Sequence, residues 1–93
     1  MNYFIIKDNA VLCNDKKWRT FSSFGNNSSF KIFKQKNRVT KLAKSLNASL
    51  EFNNKTPNIF VSSLPDKCCL NAVGEIFNQN DELIGTLKDF IIN

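Results

Sequence analysis

Apolar and polar residues follow two different periods along this chain of 93 residues. In one stretch, four apolar residues recur at the i, i+3, i+4 and i+7 spacing of a single buried helical stripe. They are Val39, Leu42, Ala43 and Leu46. The spacing predicts an amphipathic helix over residues 36–46. Asn47 is expected to end this helix, because asparagine tolerates the left-handed conformation that follows many helices.

Runs before and after the helix combine apolar residues with the alternation that is typical of strands. Residues with turn chemistry, above all Asn, Asp and Pro, separate these runs. The expected strands are residues 3–7, 10–13, 18–24, 48–52 and 58–62, with the clearest loop at residues 25–29. The apolar tail, residues 87–92, is expected to complete the sheet rather than to stand in water.

Residues 65–73 fit either a helix or a strand. Their apolar residues suit a helical spacing, but Gly74 interrupts the pattern and weakens a helix. We favour a hairpin folded about residues 79–80, since the loop residues there suit a tight turn. The pairs expected across this hairpin are Ile76 with Leu83 and Gly74 with Gly85.

Together these elements predict an α+β fold: an antiparallel sheet of about five to seven short strands with one amphipathic helix packed on it. A single hydrophobic core is the norm at this length, so residues 1–93 are expected to form a single domain. The hydrophobic fraction of 42%, with nine Phe, is enough for a folded core.

The chain shows no membrane or export signal. No run approaches the ~20 apolar residues of a membrane-spanning helix. The short apolar run at residues 3–6 has no basic segment before it, unlike a signal peptide. We therefore expect a cytoplasmic protein without membrane contact. Its three cysteines, Cys13, Cys68 and Cys69, are expected to be reduced there, and any further role for them is open.

Catalytic and cofactor chemistry is missing from the sequence. The chain has no His, which excludes His-based general bases, nucleophile pairs and metal ligands. The cysteines lack the C-x-x-C spacing of zinc sites, and the three Gly are too dispersed for a phosphate loop. Residues 28–31 match Ser-x-x-Lys, but they straddle an expected loop and strand and lack the companion motifs. We expect no enzyme, no cofactor and no metal.

The net charge of +5 is concentrated in the first half of the chain. Residues 1–50 hold ten Lys and Arg against two carboxylates, for +8, whereas residues 51–93 carry −3. This asymmetry suggests an electropositive surface that faces an acidic partner, although solvated lysines need no partner. The candidate partner-binding or nucleic-acid-binding residues are Lys16, Lys17, Arg19, Lys31, Lys34, Arg38, Lys41 and Lys44.

Aromatic residues are interleaved with these cations between residues 18 and 34. Proteins that bind single strands combine rings for base stacking with cations for phosphates. The same rings are equally suited to a core, and we favour that interpretation because large apolar residues are mostly buried. The rings concerned are Trp18, Phe21, Phe30 and Phe33.

Four segments form a layout that resembles a known class of protein. They are Tyr-Phe-Ile-Ile-Lys at residues 3–7, Lys-Trp at 17–18, Lys-Ile-Phe-Lys at 31–34 and Val-Thr-Lys-Leu-Ala-Lys-Ser-Leu-Asn at 39–47. The layout resembles small phage-type orphan proteins, the class that includes anti-CRISPR inhibitors.

This resemblance implies a non-catalytic inhibitor that occupies a surface of a host nucleic-acid-handling complex. The partner would be a host protein or ribonucleoprotein complex. The alternative is a small basic protein that binds DNA or RNA directly. The sequence leaves open which of these is the target, and it leaves the oligomeric state open.

Overall fold

The structure of the protein is a computed structural model that describes residues 1–20, 30–71 and 73–92. Within these residues the chain forms eight strands, one α-helix and one short 3-10 helix. In chain order they are β1 (Asn2–Lys7), β2 (Ala10–Leu12), β3 (Trp18–Thr20), α1 (Lys36–Phe52), β4 (Ile59–Leu64), β5 (Cys69–Leu70), β6 (Glu75–Phe77), β7 (Leu83–Thr86), the 3-10 helix (Leu87–Phe90) and β8 (Ile91–Ile92).

The strands form two antiparallel sheets, with α1 packed on the larger one. The main sheet has the order β3-β2-β1-β4-β8, and the second sheet has the order β5-β6-β7. The predicted α+β fold, with one helix on an antiparallel sheet, is confirmed. After β4 the chain folds back over the face of the main sheet that lies opposite α1, and the strands β5 to β7 form the second sheet there.

The main sheet separates two hydrophobic clusters. Successive side chains of β1 point to opposite faces, so Ile5 packs with Val39 of α1, whereas Ile6 packs in the same cluster as Ile76 of the second sheet. All four side chains are almost fully buried. Because β1 is covered on both faces, its sequence is a nearly continuous apolar run. The molecule therefore has three layers: α1, the main sheet, and the second sheet with the 3-10 helix.

The helix begins where the spacing predicts, at Lys36, but it ends at Phe52. The predicted strand over residues 48–52 is therefore wrong. Leu46 and Leu50 are four residues apart on one helical face, and both pack against the cluster beneath α1. The apparent alternation of residues 48–52 is thus the last turn of the helical stripe.

Asn47 does not end the helix, as was expected; its side chain binds β4 instead. The carboxamide nitrogen donates to the Ile59 carbonyl oxygen at 2.8 Å, and the carboxamide oxygen accepts from the Ile59 N–H at 3.1 Å. The left-handed residue that ends the helix is Asn54, with φ 59°. The N–H of Lys55 then closes the last turn on the carbonyl oxygen of Leu50 at 2.8 Å.

The predicted hairpin of β6 and β7 is confirmed, but its register is wrong. The observed pairs are Ile76 with Gly85 and Phe77 with Leu83, in place of Ile76 with Leu83 and Gly74 with Gly85. The turn is longer than a two-residue turn because the Asn78 side-chain oxygen accepts from the N–H groups of Asn80 and Glu82. Asp81 adopts φ 60° within this loop, and the pairing of the two strands is irregular between Ile76 and Phe77.

The remaining expected elements are mostly confirmed. Residues 3–7 lie in β1, β4 begins at Ile59 and runs to Leu64 where a strand over residues 58–62 was expected, and β2 stops at Leu12, one residue earlier than expected. Within the ambiguous segment, Cys69–Leu70 is a strand that pairs with β6. The C-terminal tail joins the main sheet only through β8, because the residues before it form the 3-10 helix. Residues 21–24 of the third expected strand and the loop at 25–29 lie outside the described residues.

Candidate functional site

A concave surface of about 590 Å³ lies where the chain enters α1. Its walls come from the segment before the helix and from the first turns of the helix. They are formed by Lys31, Ile32, Phe33, Lys34, Gln35, Arg38 and Leu42. Two backbone hydrogen bonds of 2.8 and 2.9 Å between Tyr3 and Phe33 hold the segment against β1. Three of the eight predicted binding cations are thereby brought into one recess, which we call the α1 concavity.

Two cations of the α1 concavity are held in place by neutral groups. The Lys34 ammonium donates to the side-chain oxygen of Asn2. The Lys31 ammonium lies 5.3 Å from the centroid of the Phe33 ring, within the range of a cation–π contact. An amide oxygen and an aromatic ring fix the position of an ammonium group without cancelling its charge. The recess therefore keeps the full positive charge of its side chains.

Acidic residues do not compensate the charge of α1. The helix carries four cations and a single carboxylate, Glu51, which lies near its end. Its first turn has no acidic residue, and the side chain of Gln35, the N-cap, makes no capping hydrogen bond. The two ion pairs among the described residues are Met1 with Asp66 and Arg19 with Asp15, and neither involves α1. The positive field around the first half of the helix is therefore uncompensated.

The outer face of α1 carries Lys41 and Lys44, which are exposed as expected and do not line the concavity. Val39 and Ala43 are buried on the opposite side. Leu42 and Leu46 depart from the expectation of full burial, because both are only half-buried, and Leu42 forms part of the concavity wall. Hereafter, the α1 basic surface means the concavity cations and the two outer-face lysines: Lys31, Lys34, Arg38, Lys41 and Lys44.

The other three predicted cations do not line the concavity. Lys16 and Lys17 lie in the turn between β2 and β3, and Arg19 lies on β3. Arg19 is paired with Asp15, so its charge is partly cancelled. The N–H of Lys17 donates to the Asp15 carboxylate at 3.1 Å, and this bond, followed by Arg19, lowers the pKa of Asp15.

Two of the aromatic residues near these cations, Phe30 and Phe33, lie in the core of the protein. Phe30 and Phe33 are only 3% and 8% exposed. Trp18 is half-buried, and the Lys7 ammonium lies 4.9 Å from the centroid of its ring. The core interpretation is confirmed for both Phe residues, whereas Phe21 lies outside the described residues.

The sequence interpretation missed two features of the concavity. Ile32 is 48% exposed although both neighbouring aromatic residues, Phe30 and Phe33, are buried. Gln35 was not assigned a role, and it lines the recess as the N-cap of α1. The spacing of Phe30 and Phe33 could have revealed the first feature, since burying both leaves the residues between them at the surface.

Metal-binding clusters and membrane-spanning helices are absent from the described residues. Across residues 1–20, 30–71 and 73–92, no three His, Cys, Asp or Glu side chains cluster in a way that could hold a metal ion. None of the helices within those ranges is long and apolar enough to cross a membrane. The three cysteines are free, with Cys13 buried and Cys69 exposed.

The chain was compared with protein-family models, with curated proteins and with solved structures. None of the three comparisons found a match.

Proposed function

We propose that this protein is a non-catalytic inhibitor of the anti-defence kind, which docks on a nucleic-acid-handling complex in the host cytoplasm through the α1 basic surface. The observation that carries the proposal is the uncompensated charge of this surface. Arg38, Lys41 and Lys44 form no ion pair with any described residue, and the cations of the concavity are held by neutral groups. Such a surface attracts an acidic partner over several ångströms and orients the encounter.

A complex that handles nucleic acid supplies the partner charge that suits this surface. Phosphates of bound RNA or DNA are accessible at its rim, and Lys and Arg side chains are their usual ligands. The surface is spread along α1, whose rise of about 1.5 Å per residue separates Arg38 and Lys44 by roughly 9 Å along the helix axis. This spread suits several contacts on an extended anion better than one small ligand.

Direct binding to free DNA or RNA is a second candidate function. The α1 concavity favours it, because three cations and an exposed apolar side chain share one recess. Such a site needs no protein partner to supply affinity. The two candidate functions differ in whether free nucleic acid is sufficient for binding or a protein partner is also needed.

A pull-down from host lysate, with and without nuclease treatment, separates the two. The proposed inhibitor retains a protein partner after the nuclease step, because it docks on the protein of the assembled complex as well as on its nucleic acid. Recovery that disappears on nuclease treatment would instead assign the function to direct nucleic-acid binding. If neither sample contained a specific partner, the proposal would be contradicted.

A further inference from the structure

The α1 concavity differs from the rest of the α1 basic surface in carrying exposed apolar area beside its charge. Ile32 is 48% exposed, and Leu42 is half-buried beside it. Lys41 and Lys44, by contrast, stand on the outer face of the helix and do not line the concavity. A ligand that reaches both kinds of wall must combine an anionic group with an apolar body.

The volume of the recess limits the size of the ligand that it can hold. Its volume of about 590 Å³ lies within the range of pockets that hold a small molecule or a nucleotide. A duplex keeps its bases stacked inside and presents a convex line of phosphates, so it would touch only the cations at the rim. An unpaired nucleotide can turn its sugar and base towards the apolar wall.

We infer that the α1 concavity binds one unpaired nucleotide of RNA or DNA. Its phosphate contacts Lys34 and Arg38, and its sugar and base lie against Ile32 and Leu42. This inference rests on the proposed function and names the form of nucleic acid that the same surface recognises. It predicts a preference for single strands over duplexes.

The recess offers little to distinguish one base from another. Phe33 is only 8% exposed and its ring already carries the Lys31 ammonium, so it is not free to stack on a base. Contact with an aliphatic wall discriminates weakly between bases. The single-strand preference is therefore expected to be similar for different sequences.

The test measures fluorescence anisotropy with one labelled strand of mixed sequence, made as DNA and as RNA, alone or annealed to its complement. The wild-type protein is expected to bind the single strands about fivefold more tightly than the duplexes. A factor of this size corresponds to the binding free energy that is gained when the exposed half of one Ile side chain is buried. Ile32→Ser is expected to abolish this preference while leaving duplex affinity unchanged.

Lys44→Gln serves as the matched control, because Lys44 lies outside the concavity. This substitution is expected to weaken the binding of single strands and of duplexes equally. A thermal melt of Ile32→Ser that matches the wild type shows that the exposed substitution leaves the fold intact. The carbon-13 shifts of the Ile32 methyl groups provide a second measurement, and they are expected to move when single strand is added.

Equal wild-type affinity for both forms, or an Ile32→Ser variant that keeps the preference, would overturn the inference and leave the proposed function standing. Unmoved Ile32 methyl signals at saturating single strand would overturn it as well. Failure of the proposed function has a different signature, namely no specific partner in the pull-down and no binding to either form.

Discussion

The side chain of Asn47 on α1 and the backbone of Ile59 on β4 are joined by two reciprocal hydrogen bonds, 2.8 and 3.1 Å long. Among the described strands, β8 pairs only with Val61 and Ser62 of β4. Asn47 thus supplies the donor and the acceptor that a longer β8 would present to Ile59. This contact fixes α1 on the main sheet, and with it the orientation of the α1 basic surface.

Replacing Asn47 by Ala is expected to lower the free energy of unfolding by about 1–3 kcal/mol, because both backbone groups of Ile59 lose their partner in a partly buried position. Urea unfolding at neutral pH measures the change. Ser45→Ala, at an exposed position of the same helix, is the control and should stay within about 0.5 kcal/mol of the wild type. An Asn47→Ala variant as stable as this control would show that the contact does not hold α1 in place.

Burial across the α1 side of the sheet predicts a graded series of stability losses. Ile5→Ala removes a fully buried side chain and is expected to cost about 2–5 kcal/mol. Leu42→Ala removes a half-buried one and should cost about half as much. Phe52 is 87% exposed, so Phe52→Ala should change the unfolding free energy by no more than about 0.5 kcal/mol. Equal losses for Leu42 and Ile5 would contradict the placement of Leu42 at the concavity wall.

The carboxyl group of Asp15 is expected to titrate below its ordinary pKa, because the Lys17 N–H and then the Arg19 side chain favour the charged form. Its contribution to stability is complete above the unfolded-state pKa of about 3.9 and is lost as the pH falls through the lower folded-state pKa. Carbon-13 NMR of the carboxyl group measures the midpoint. In Arg19→Gln the midpoint should rise but stay below the ordinary pKa of an Asp side chain, because the hydrogen bond from the Lys17 N–H, which is the larger cause, is still present. A wild-type midpoint at or above the ordinary value would contradict the hydrogen bonding of this turn.

Binding of nucleic acid through the α1 basic surface is expected to weaken steeply as salt rises, because each neutralised phosphate releases counterions. Replacing Lys41 and Lys44 by Gln should reduce the slope of log affinity against log salt by about 1.4–1.8, at roughly 0.7–0.9 per phosphate contact. The measurement is anisotropy with an oligonucleotide at several salt concentrations. Lys55→Gln with Lys67→Gln, two exposed cations outside the surface, should leave the slope unchanged. A slope that is the same in all three proteins would exclude phosphate contacts by the two helical lysines.

Local pattern was enough to predict β1, the start of α1 and the α+β class, since each depends on residues near one another in sequence. The end of α1 was not predictable in this way. Asn47 has the chemistry of a helix stop, and only its distant partner Ile59 shows why the helix continues past it. The register of the β6–β7 hairpin was missed for a related reason, because the Asn78 side chain shapes a longer turn than the sequence pattern suggested.

The candidate site was predicted in its charges but not in its shape. Arg38, Lys41 and Lys44 face outwards because the helical stripe opposite them is buried, which the spacing alone indicates. The concavity depends instead on the pairing of Tyr3 with Phe33, which places Ile32 beside the helix. Contacts between residues so far apart in the chain cannot be deduced from a local period.

The most direct test of the central claim compares partner recovery by two charge-reversed variants. Lys41→Glu with Lys44→Glu changes the α1 basic surface, and Lys55→Glu with Lys67→Glu makes the same change of net charge elsewhere. Both variants should melt close to the wild type, because exposed charges contribute little to stability. The first should lose the partner recovered from lysate, and the second should retain it. Equal recovery by the two folded variants would contradict the assignment of binding to α1.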